Sequence, residues 1–243
     1  MILRLLPATW IRWIGKLPFK LPILRPFIAI VDRHFKRGEH VMIHGIGKGL
    51  RFDAAGLRAG YALGTAELEE QKILATWLCS GQVFYDIGAN VGFFTVLAAR
   101  LVGSTGKVYA FEPFPQSAEM IRKNAALNDF GQIIDVWQGA VSNRKGNGRL
   151  VMHERSDRFK LTETTVDAPS LTVPLYVIDE LVAEGRLRPP DFVKIDVEGH
   201  EVQVLRGMEA TIRAHRPIIL CEVHGDLVHG LVREIRELVE GFF

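Results

Sequence analysis

From residue 65 onward, the chain alternates between segments with helical and segments with strand-like spacing of apolar positions. Apolar residues at every third or fourth position predict helices, and short apolar runs bounded by turn residues predict strands. The predicted strands are residues 83–87, 107–112, 133–137, 192–196 and 218–223. The predicted helices are residues 93–102, 115–128, 200–215 and 227–240. Because strands separated by helices need crossover connections, the pattern predicts an α/β fold with a mostly parallel sheet and helices on both faces.

Two further segments flank or interrupt this alternation. Thr65 is expected to cap a helix before the first strand, since Glu67, Glu69 and Glu70 would then lie at the positive end of the helix dipole. Residues 142–170 are polar and contain a turn pattern at residues 144–148, so they are expected to form short strands and loops. The helix–strand rhythm resumes after this insertion.

The N-terminal segment differs in character from the rest. We expect residues 1–60 to form a basic, apolar arm and lead-in, followed by one domain over residues 61–243. In residues 1–31 basic side chains interrupt the apolar ones, and no uncharged run reaches the roughly 18 residues of a membrane-spanning helix. Peripheral contact of this arm with an anionic membrane is one interpretation. The other is packing on its own domain or on a second subunit, and the oligomeric state is open.

Composition narrows the class of protein. Hydrophobic residues make up 48% and charged residues 24% of the chain, as in a soluble globular protein with a large core. The net charge of +2 argues against nucleic acid as a partner. Cys79 and Cys221 are far apart and indicate neither a disulfide framework nor a zinc site. We therefore expect a cytoplasmic protein.

The loop at residues 86–92 is the first candidate for chemistry. It follows the first strand of the alternating run, where the crevice of an open α/β sheet lies. Gly88 and Gly92 permit close backbone approach, and Asp86 and Asn90 add polar groups. The G-x-x-x-G spacing departs from the G-x-G-x-x-G of dinucleotide sites, which counts against a nucleotide-dependent oxidoreductase. A leading carboxylate suits S-adenosyl-L-methionine, which carries a sulfonium and an amine.

Glu112 supports this interpretation. It ends the next strand and lies 20 residues after Gly92, as expected of an acid that accepts the ribose hydroxyls of a nucleoside. The alternative is that Asp86 and Glu112 only cap neighbouring helices. Two acids at successive strand ends, one of them heading a glycine loop, favour the cofactor site.

Three motifs resemble the FkbM-type S-adenosylmethionine-dependent methyltransferases over roughly residues 60–240. They are residues 83–92, Phe111-Glu112-Pro113, and residues 193–201 followed by Val204, Leu205 and Gly207. Upstream, Tyr61, Gly64 and Glu67 are similar to the family's Y-x-x-G-x-x-E segment.

The resemblance implies a class I methyltransferase fold and O-methylation of a hydroxyl on a sugar, polyketide or lipid-linked acceptor. It also implies that Asp86, Gly88, Asn90, Gly92 and Glu112 bind the cofactor. That fold normally ends in a strand hairpin. Residues 241–243 resemble the beginning of such a strand, so we expect a differently completed sheet or an exposed edge.

The strand tips supply the candidates for catalysis, because methyl transfer to an alcohol needs a base close to the aligned reactants. Asp196, Glu198 and His200 follow the fourth strand, and Glu222 and His224 end the fifth. We place His224 before His200, since it follows a buried strand and histidine is well suited to base chemistry near neutral pH. A divalent metal held by Asp196, Glu198, Glu222 and His224 is an alternative, although their spacing matches no dedicated metal motif.

Lys194 lies within an otherwise apolar strand and therefore needs a partner. We expect a structural ion pair with Glu222 on the neighbouring strand. A module that keeps the cofactor pocket but has lost catalysis is a further interpretation of the whole chain.

Overall fold

The computed structural model describes residues 33–35, 38–152, 159–162, 170–223 and 228–242. The strands are β1 (Glu39–Val41), β2 (Arg51–Asp53), β3 (Val83–Ile87), β4 (Lys107–Glu112), β5 (Ile134–Gln138), β6 (Ala140–Val141), β7 (Gly146–Met152), β8 (Phe159–Thr162), β9 (Ser170–Tyr176), β10 (Phe192–Ile195) and β11 (Ile218–Cys221). The helices are α1 (Ala59–Leu63), α2 (Leu68–Trp77), α3 (Phe93–Val102), α4 (Pro115–Ala126), α5 (Ile178–Ala183), α6 (Glu201–Arg206), α7 (Glu209–His215) and α8 (Val228–Glu240).

The main sheet has five parallel strands in the order β11-β10-β3-β4-β5. These strands lie at the five predicted positions, and the parallel α/β fold is confirmed. β3 is central, with β4 on one side and β10 on the other, so the strand order reverses at β3. The crevice that binds ligands in such sheets is therefore expected at the carboxyl end of β3.

Each face of the sheet has its own apolar core, which explains why the central strand is buried throughout. Phe84 of β3 belongs to the core on one face, together with residues of α2, α3 and α4. Tyr85 and Ile87 belong to the core on the other face, together with residues of α5, α6, α7 and α8. Every residue of β3 is buried as a result. A strand covered on both faces appears in the sequence as a continuous apolar run rather than as an alternation.

The lead-in segment packs on this fold. β1 and β2 form an antiparallel hairpin, and Phe52 of β2 contacts Phe93 at 5.7 Å between ring centroids. The backbone N–H of Asp53 donates to Oδ1 of Asn124 at 2.9 Å, and Lys123 pairs with Asp53 at 2.8 Å. These contacts fix the loop after β2 against α3 and α4.

Residues 140–176 contribute a second sheet, with strands in the order β6-β9-β7-β8. The expected short strands and loops of residues 142–170 are confirmed in the part that the structure describes. β9 and α5 lie in a stretch for which the sequence pattern predicted no element.

Two helix predictions are wrong. Thr65 caps no helix: α2 begins at Leu68, and its N-cap is Glu67 in a left-handed conformation. The predicted helix over residues 200–215 is two helices, α6 and α7, separated at Gly207. There, a Cβ would lie 2.1 Å from the carbonyl oxygen of Ser142, so the chain is held close to a distant loop. Asp179 then accepts hydrogen bonds from the first turn of α7 and begins a new helix.

The prediction that residues 241–243 begin a strand is also wrong for the two that are described. Gly241 and Phe242 form a turn, and Phe242 is only 3% exposed. Arg213 donates to both of their carbonyl oxygens. Within the described ranges, every helix is too short or too polar to cross a bilayer.

Candidate functional site

A cleft of about 680 Å³ lies where the carboxyl ends of β3, β4 and β10 meet. Its volume falls in the range of roughly 300–1,000 Å³ that is typical of small-molecule sites. The 86–92 loop, the end of β4 and the first turns of α4 form one side. The other sides include the tips of β10 and β11 and the segment before β3, which contributes residues 55–57, Tyr61 and Glu67. Residues 139–141, which include β6, and Leu150 of β7 complete the lining. The cleft therefore lies at the predicted switch point of the sheet.

The glycine loop owes its shape to contacts with its two flanking strands. Gly88 has φ +82°, and a Cβ there would lie 1.9 Å from the carbonyl oxygen of Asp196. The backbone N–H groups of Gly88 and Ala89 both donate to the carbonyl oxygen of Phe111. Gly92, at φ +84°, ends the loop as the N-cap of α3. The close approach that glycine permits at Gly88 is thus to the protein backbone, which holds the loop open toward the cleft.

Asp86, the first residue of this loop, is buried below the surface of the cleft. It is 1% exposed and does not line the cleft. Its Oδ2 accepts a hydrogen bond from Thr95 at 2.6 Å, and its Oδ1 has no partner among the described residues. Burial raises the pKa of Asp86, and Lys194 opposes that rise. The side chain of Asp86, predicted to bind the cofactor, therefore lies below the surface that a ligand in the cleft would touch.

Glu112 lines the cleft and holds the loop in place. Its Oε2 accepts the backbone N–H of Asn90, and its Oε1 accepts that of Phe114, both at 2.8 Å. Burial raises its pKa to about 7, although both hydrogen bonds lower it. Each carboxylate oxygen keeps a second lone pair, so Glu112 can still accept hydrogen bonds from hydroxyl groups.

The fourth strand tip contributes three of the predicted catalytic residues. Asp196, Glu198 and His200 line the cleft, as does Glu222 after β11. His224, the first-placed base, lies outside the described residues.

The expected ion pair between Lys194 and Glu222 is wrong, because Lys194 Nζ bonds to Oδ2 of Asp196 at 2.9 Å. Asp196 follows Lys194 by two residues, and residues two apart along a strand share a face. Lys194 is in register with Leu220 of β11, so Glu222 lies two residues beyond the position opposite Lys194. Burial alone would lower the pKa of Lys194, but Asp196 and Asp86 raise it above its ordinary value.

His200 has a partner that the sequence did not indicate. Its Nε2 lies 3.1 Å from Oγ of Ser142, a residue 1% exposed on the loop after β6. The two residues are 58 positions apart, so no local motif connects them.

Among the described residues, no three His, Cys, Asp or Glu side chains are placed to hold a metal ion. This covers Asp196, Glu198 and Glu222 of the alternative metal set, and its fourth member, His224, is outside the described ranges. The cleft fits a cationic small molecule, since several carboxylates line it.

Sequence reasoning left Tyr61 and Glu67 out of the site, although the Y-x-x-G-x-x-E segment contains both. Each lines the cleft, and Tyr61 donates a hydrogen bond to Oε1 of Glu67. Burial raises the pKa of both groups. The motif was the available signal, but it did not indicate that the segment before β3 reaches the strand tips.

Comparison with known proteins places this cleft in a family context. Residues 86–241, well over half of the chain, match the model of the methyltransferase FkbM domain. The hexuronic acid methyltransferase AglP of Haloferax volcanii is 30% identical over 142 residues, covering 58% of this chain and 56% of that protein. The 31-O-demethyl-FK506 methyltransferase FkbM of Streptomyces tacrolimicus is 28% identical over 191 residues, covering 66% of this chain and 72% of that protein.

The chain therefore spans little more than half the length of the Haloferax relative. A crystal structure of methyltransferase FkbM from Methylobacillus flagellatus KT superimposes with a TM-score of 0.48 and 16% identity. That superposition covers 65% of this chain and 37% of the other.

Proposed function

The chain belongs to the FkbM family of S-adenosylmethionine-dependent methyltransferases, and from this premise we propose that it methylates a hydroxyl group of a small-molecule, glycan or lipid-linked acceptor. The observation that carries the proposal is the arrangement of Glu112 under the glycine loop. This carboxylate is buried at the end of β4, lines the cleft and binds the backbone of Asn90. A carboxylate at the end of β4 is placed to accept hydrogen bonds from the ribose hydroxyls of a nucleoside donor, and we call this position the ribose site.

The remaining cofactor roles follow from position. Glu112 would accept the ribose hydroxyls, and Asn90 at the edge of the loop would contact the bound nucleoside. Gly88 and Gly92 shape the loop, and Asp86 supports it from below through Thr95. The bound donor supplies an electrophilic methyl group on a sulfonium. The carboxylates at the tips of β10 and β11 favour that positive charge.

The acceptor side of the cleft would align a hydroxyl oxygen with the methyl carbon and the sulfur. Orientation of this kind supplies on the order of 7–11 kcal/mol in well-aligned reactions. Asp196, Glu198 and His200 line the cleft and remain candidates for binding the acceptor or accepting its proton. His224 keeps its role as a prediction from the sequence. The names of the two relatives, one a hexuronic acid methyltransferase and one a 31-O-demethyl-FK506 methyltransferase, support a small-molecule or glycan acceptor, and the second supports transfer to oxygen.

Label transfer tests the proposal. The full chain would be incubated with S-adenosylmethionine that carries a labelled methyl group and with an extract of the source cells. We expect label in a small-molecule or lipid fraction, stable to mild base as an ether is. Cofactor binding without any transfer would overturn the enzymatic proposal and favour an inactive binding module.

We also propose that the protein is cytoplasmic and that residues 1–31 contact an anionic membrane surface, ahead of a catalytic domain over residues 61–243. Support comes from the interleaved basic and aromatic residues of that arm, which lies outside the described ranges. Co-sedimentation with phosphatidylserine vesicles of the full chain and of a variant lacking residues 1–31 tests the membrane contact. Equal pelleting of both proteins would remove it.

A further inference from the structure

The segment before β3 brings an acid–phenol pair into the cleft from outside residues 86–241, the part of the chain that matches the family model. Tyr61 is on α1, and Glu67 immediately precedes α2. Tyr61 donates its hydroxyl hydrogen to Oε1 of Glu67, and both side chains line the cleft. The ring of Tyr61 also packs edge-on against Phe93 at 5.0 Å, which fixes its direction.

The backbone around Glu67 is held in an unusual conformation. Glu67 has φ 47° and ψ 51°, the left-handed region that residues other than glycine seldom occupy. It stands at the N-cap of α2, yet its side chain makes no capping hydrogen bond. Its carboxylate is therefore directed away from the helix end that an acid at this position would normally satisfy. Left-handed non-glycine residues of this kind persist only where the surrounding structure fixes them.

Gln71 is the residue that fixes this turn. Its buried side-chain amide donates to the carbonyl oxygens of Gly64 and Ala66, and its Oε1 accepts the backbone N–H of Ile46. With a side chain 2% exposed, Gln71 ties the turn before Glu67 to the loop after β1. Glu67 is thus presented to the cleft by a rigid support.

Glu67 lines the same cleft as the acids at the tips of β10 and β11. The charged groups that act on it are Lys194, Glu222 and Asp196, together with its hydrogen-bond partner Tyr61. The pKa of Glu112, at the ribose site, is raised by burial and by the charges of Asp86 and Asp196. Asp196 acts on both carboxylates, which enter the cleft from different segments, since Glu67 precedes α2 and Glu112 ends β4.

We propose that Glu67 is the base that accepts the proton of the acceptor hydroxyl, and that Tyr61 is its positioning residue. The inference rests on the proposed function. As the acceptor oxygen bonds to the methyl carbon, the carbon–sulfur electron pair passes to sulfur and the hydroxyl proton passes to Glu67. The products are a methyl ether, the neutral thioether and a protonated carboxyl group, which later releases its proton to solvent.

Two of the other candidates near the strand tips have partners of their own. Asp196 is in an ion pair with Lys194, and His200 lies within hydrogen-bond distance of Ser142. Only Oε1 of Glu67 is engaged by Tyr61. Burial raises the pKa of Glu67 above its ordinary value, while Tyr61 and Lys194 lower it. A raised carboxyl pKa makes a stronger base, and general bases act best when their pKa approaches the working pH.

The first test compares Glu67→Gln with Glu69→Gln, a matched change on the exposed face of α2, where Glu69 pairs with Lys72. Labelled transfer into the extract and affinity for S-adenosylmethionine are both measured. We expect Glu67→Gln to bind the donor within about threefold of wild type but to transfer label roughly 10²–10⁴-fold more slowly. Glu69→Gln should behave as wild type.

Transfer by Glu67→Gln at the wild-type rate, or loss of donor binding with the rate, would overturn the base role. No transfer by wild type would instead overturn the proposed function itself.

The second test uses Tyr61→Phe and the pH dependence of transfer. The base must be ionised, so the rate falls as pH drops through its pKa. The hydrogen bond from Tyr61 lowers the pKa of Glu67, and its removal should therefore shift the acidic limb of the profile to higher pH. A lower rate with an unmoved acidic limb would show a structural role only and would overturn the pairing.

Discussion

The ammonium group of Lys194 lies 2.9 Å from Oδ2 of Asp196 at the carboxyl end of the central part of the sheet. Lys194 is 4% exposed and also influences Asp86 and Glu67. One buried cation thus stabilises the charged form of several carboxylates around the cleft. It allows them to stay close together without the full cost of unpaired buried charge, and it leaves the site with an excess of negative charge for a cationic donor.

Replacement of Lys194 by Met should destabilise the fold. The change leaves Asp86 and Asp196 without their cation, and breaking a buried pair in this way typically costs about 3–5 kcal/mol. Urea unfolding at neutral pH measures the loss. The double variant Lys194→Met, Asp196→Asn should recover part of it, because it also removes one of the uncompensated charges. A loss below about 1 kcal/mol for the single variant would show that the pair is not a buried charge centre.

Replacement of Glu112 by Gln should weaken the binding of S-adenosylmethionine. The charged acceptor of the ribose hydroxyls is lost, and hydrogen bonds to charged groups contribute about 1.5–3 kcal/mol, or roughly 10–150-fold in affinity. Glu119→Gln on the exposed face of α4 is the matched control. Isothermal titration measures both, and equal affinities would refute the ribose role of Glu112.

Cofactor affinity should also depend on pH through Glu112, whose pKa is about 7. Ribose hydroxyls donate to the ionised carboxylate, so binding favours ionisation and releases a proton below that pKa. Affinity is then full above pH 7 and falls by about tenfold for each unit below it. Titration at pH 8 and pH 6 in two buffers gives the proton release. The Glu112→Gln variant should lose this proton release and the pH dependence that goes with it. If the variant kept the pH dependence of wild type, Glu112 would not be the titrating group.

Gly88 should not tolerate alanine. The added Cβ would overlap the carbonyl oxygen of Asp196, and alanine is strained at φ +82°. Overpacking and a disfavoured backbone together should cost at least about 2 kcal/mol and reduce cofactor binding. Gly131→Ala is the control, since nothing lies within 4 Å of a Cβ there and its φ is not positive. Thermal unfolding measures the stability of the two variants, and we expect a lower midpoint for Gly88→Ala. Equal midpoints would show that the loop can move away from β10.

The main sheet could be predicted from the sequence because its determinants are local. Val83–Ile87 and Lys107–Glu112 are short apolar runs next to glycine, and Phe93–Val102 is bounded by glycine at both ends. Strands buried on both faces leave this signature regardless of their neighbours. The cofactor loop and the strand-end acid could be located for the same reason.

The features that were missed depend on contacts between distant parts of the chain. The helix break at Gly207 is set by the backbone of Ser142, and the partner of His200 is the side chain of that same residue. Glu67 lines the cleft because Gln71 ties the turn before α2 to the loop after β1, a contact that no periodicity encodes. The ion pair of Lys194 was assigned to the wrong acid because register along β11 was unknown.

Calorimetric titration of the full chain with S-adenosylmethionine, and separately with NAD, tests the central claim most directly. We expect saturable heat with one S-adenosylmethionine per chain and no saturable heat with NAD, because the loop lacks the third glycine of a pyrophosphate site. Saturable binding of NAD with none of S-adenosylmethionine would contradict the assignment of the cleft as a methyl-donor site.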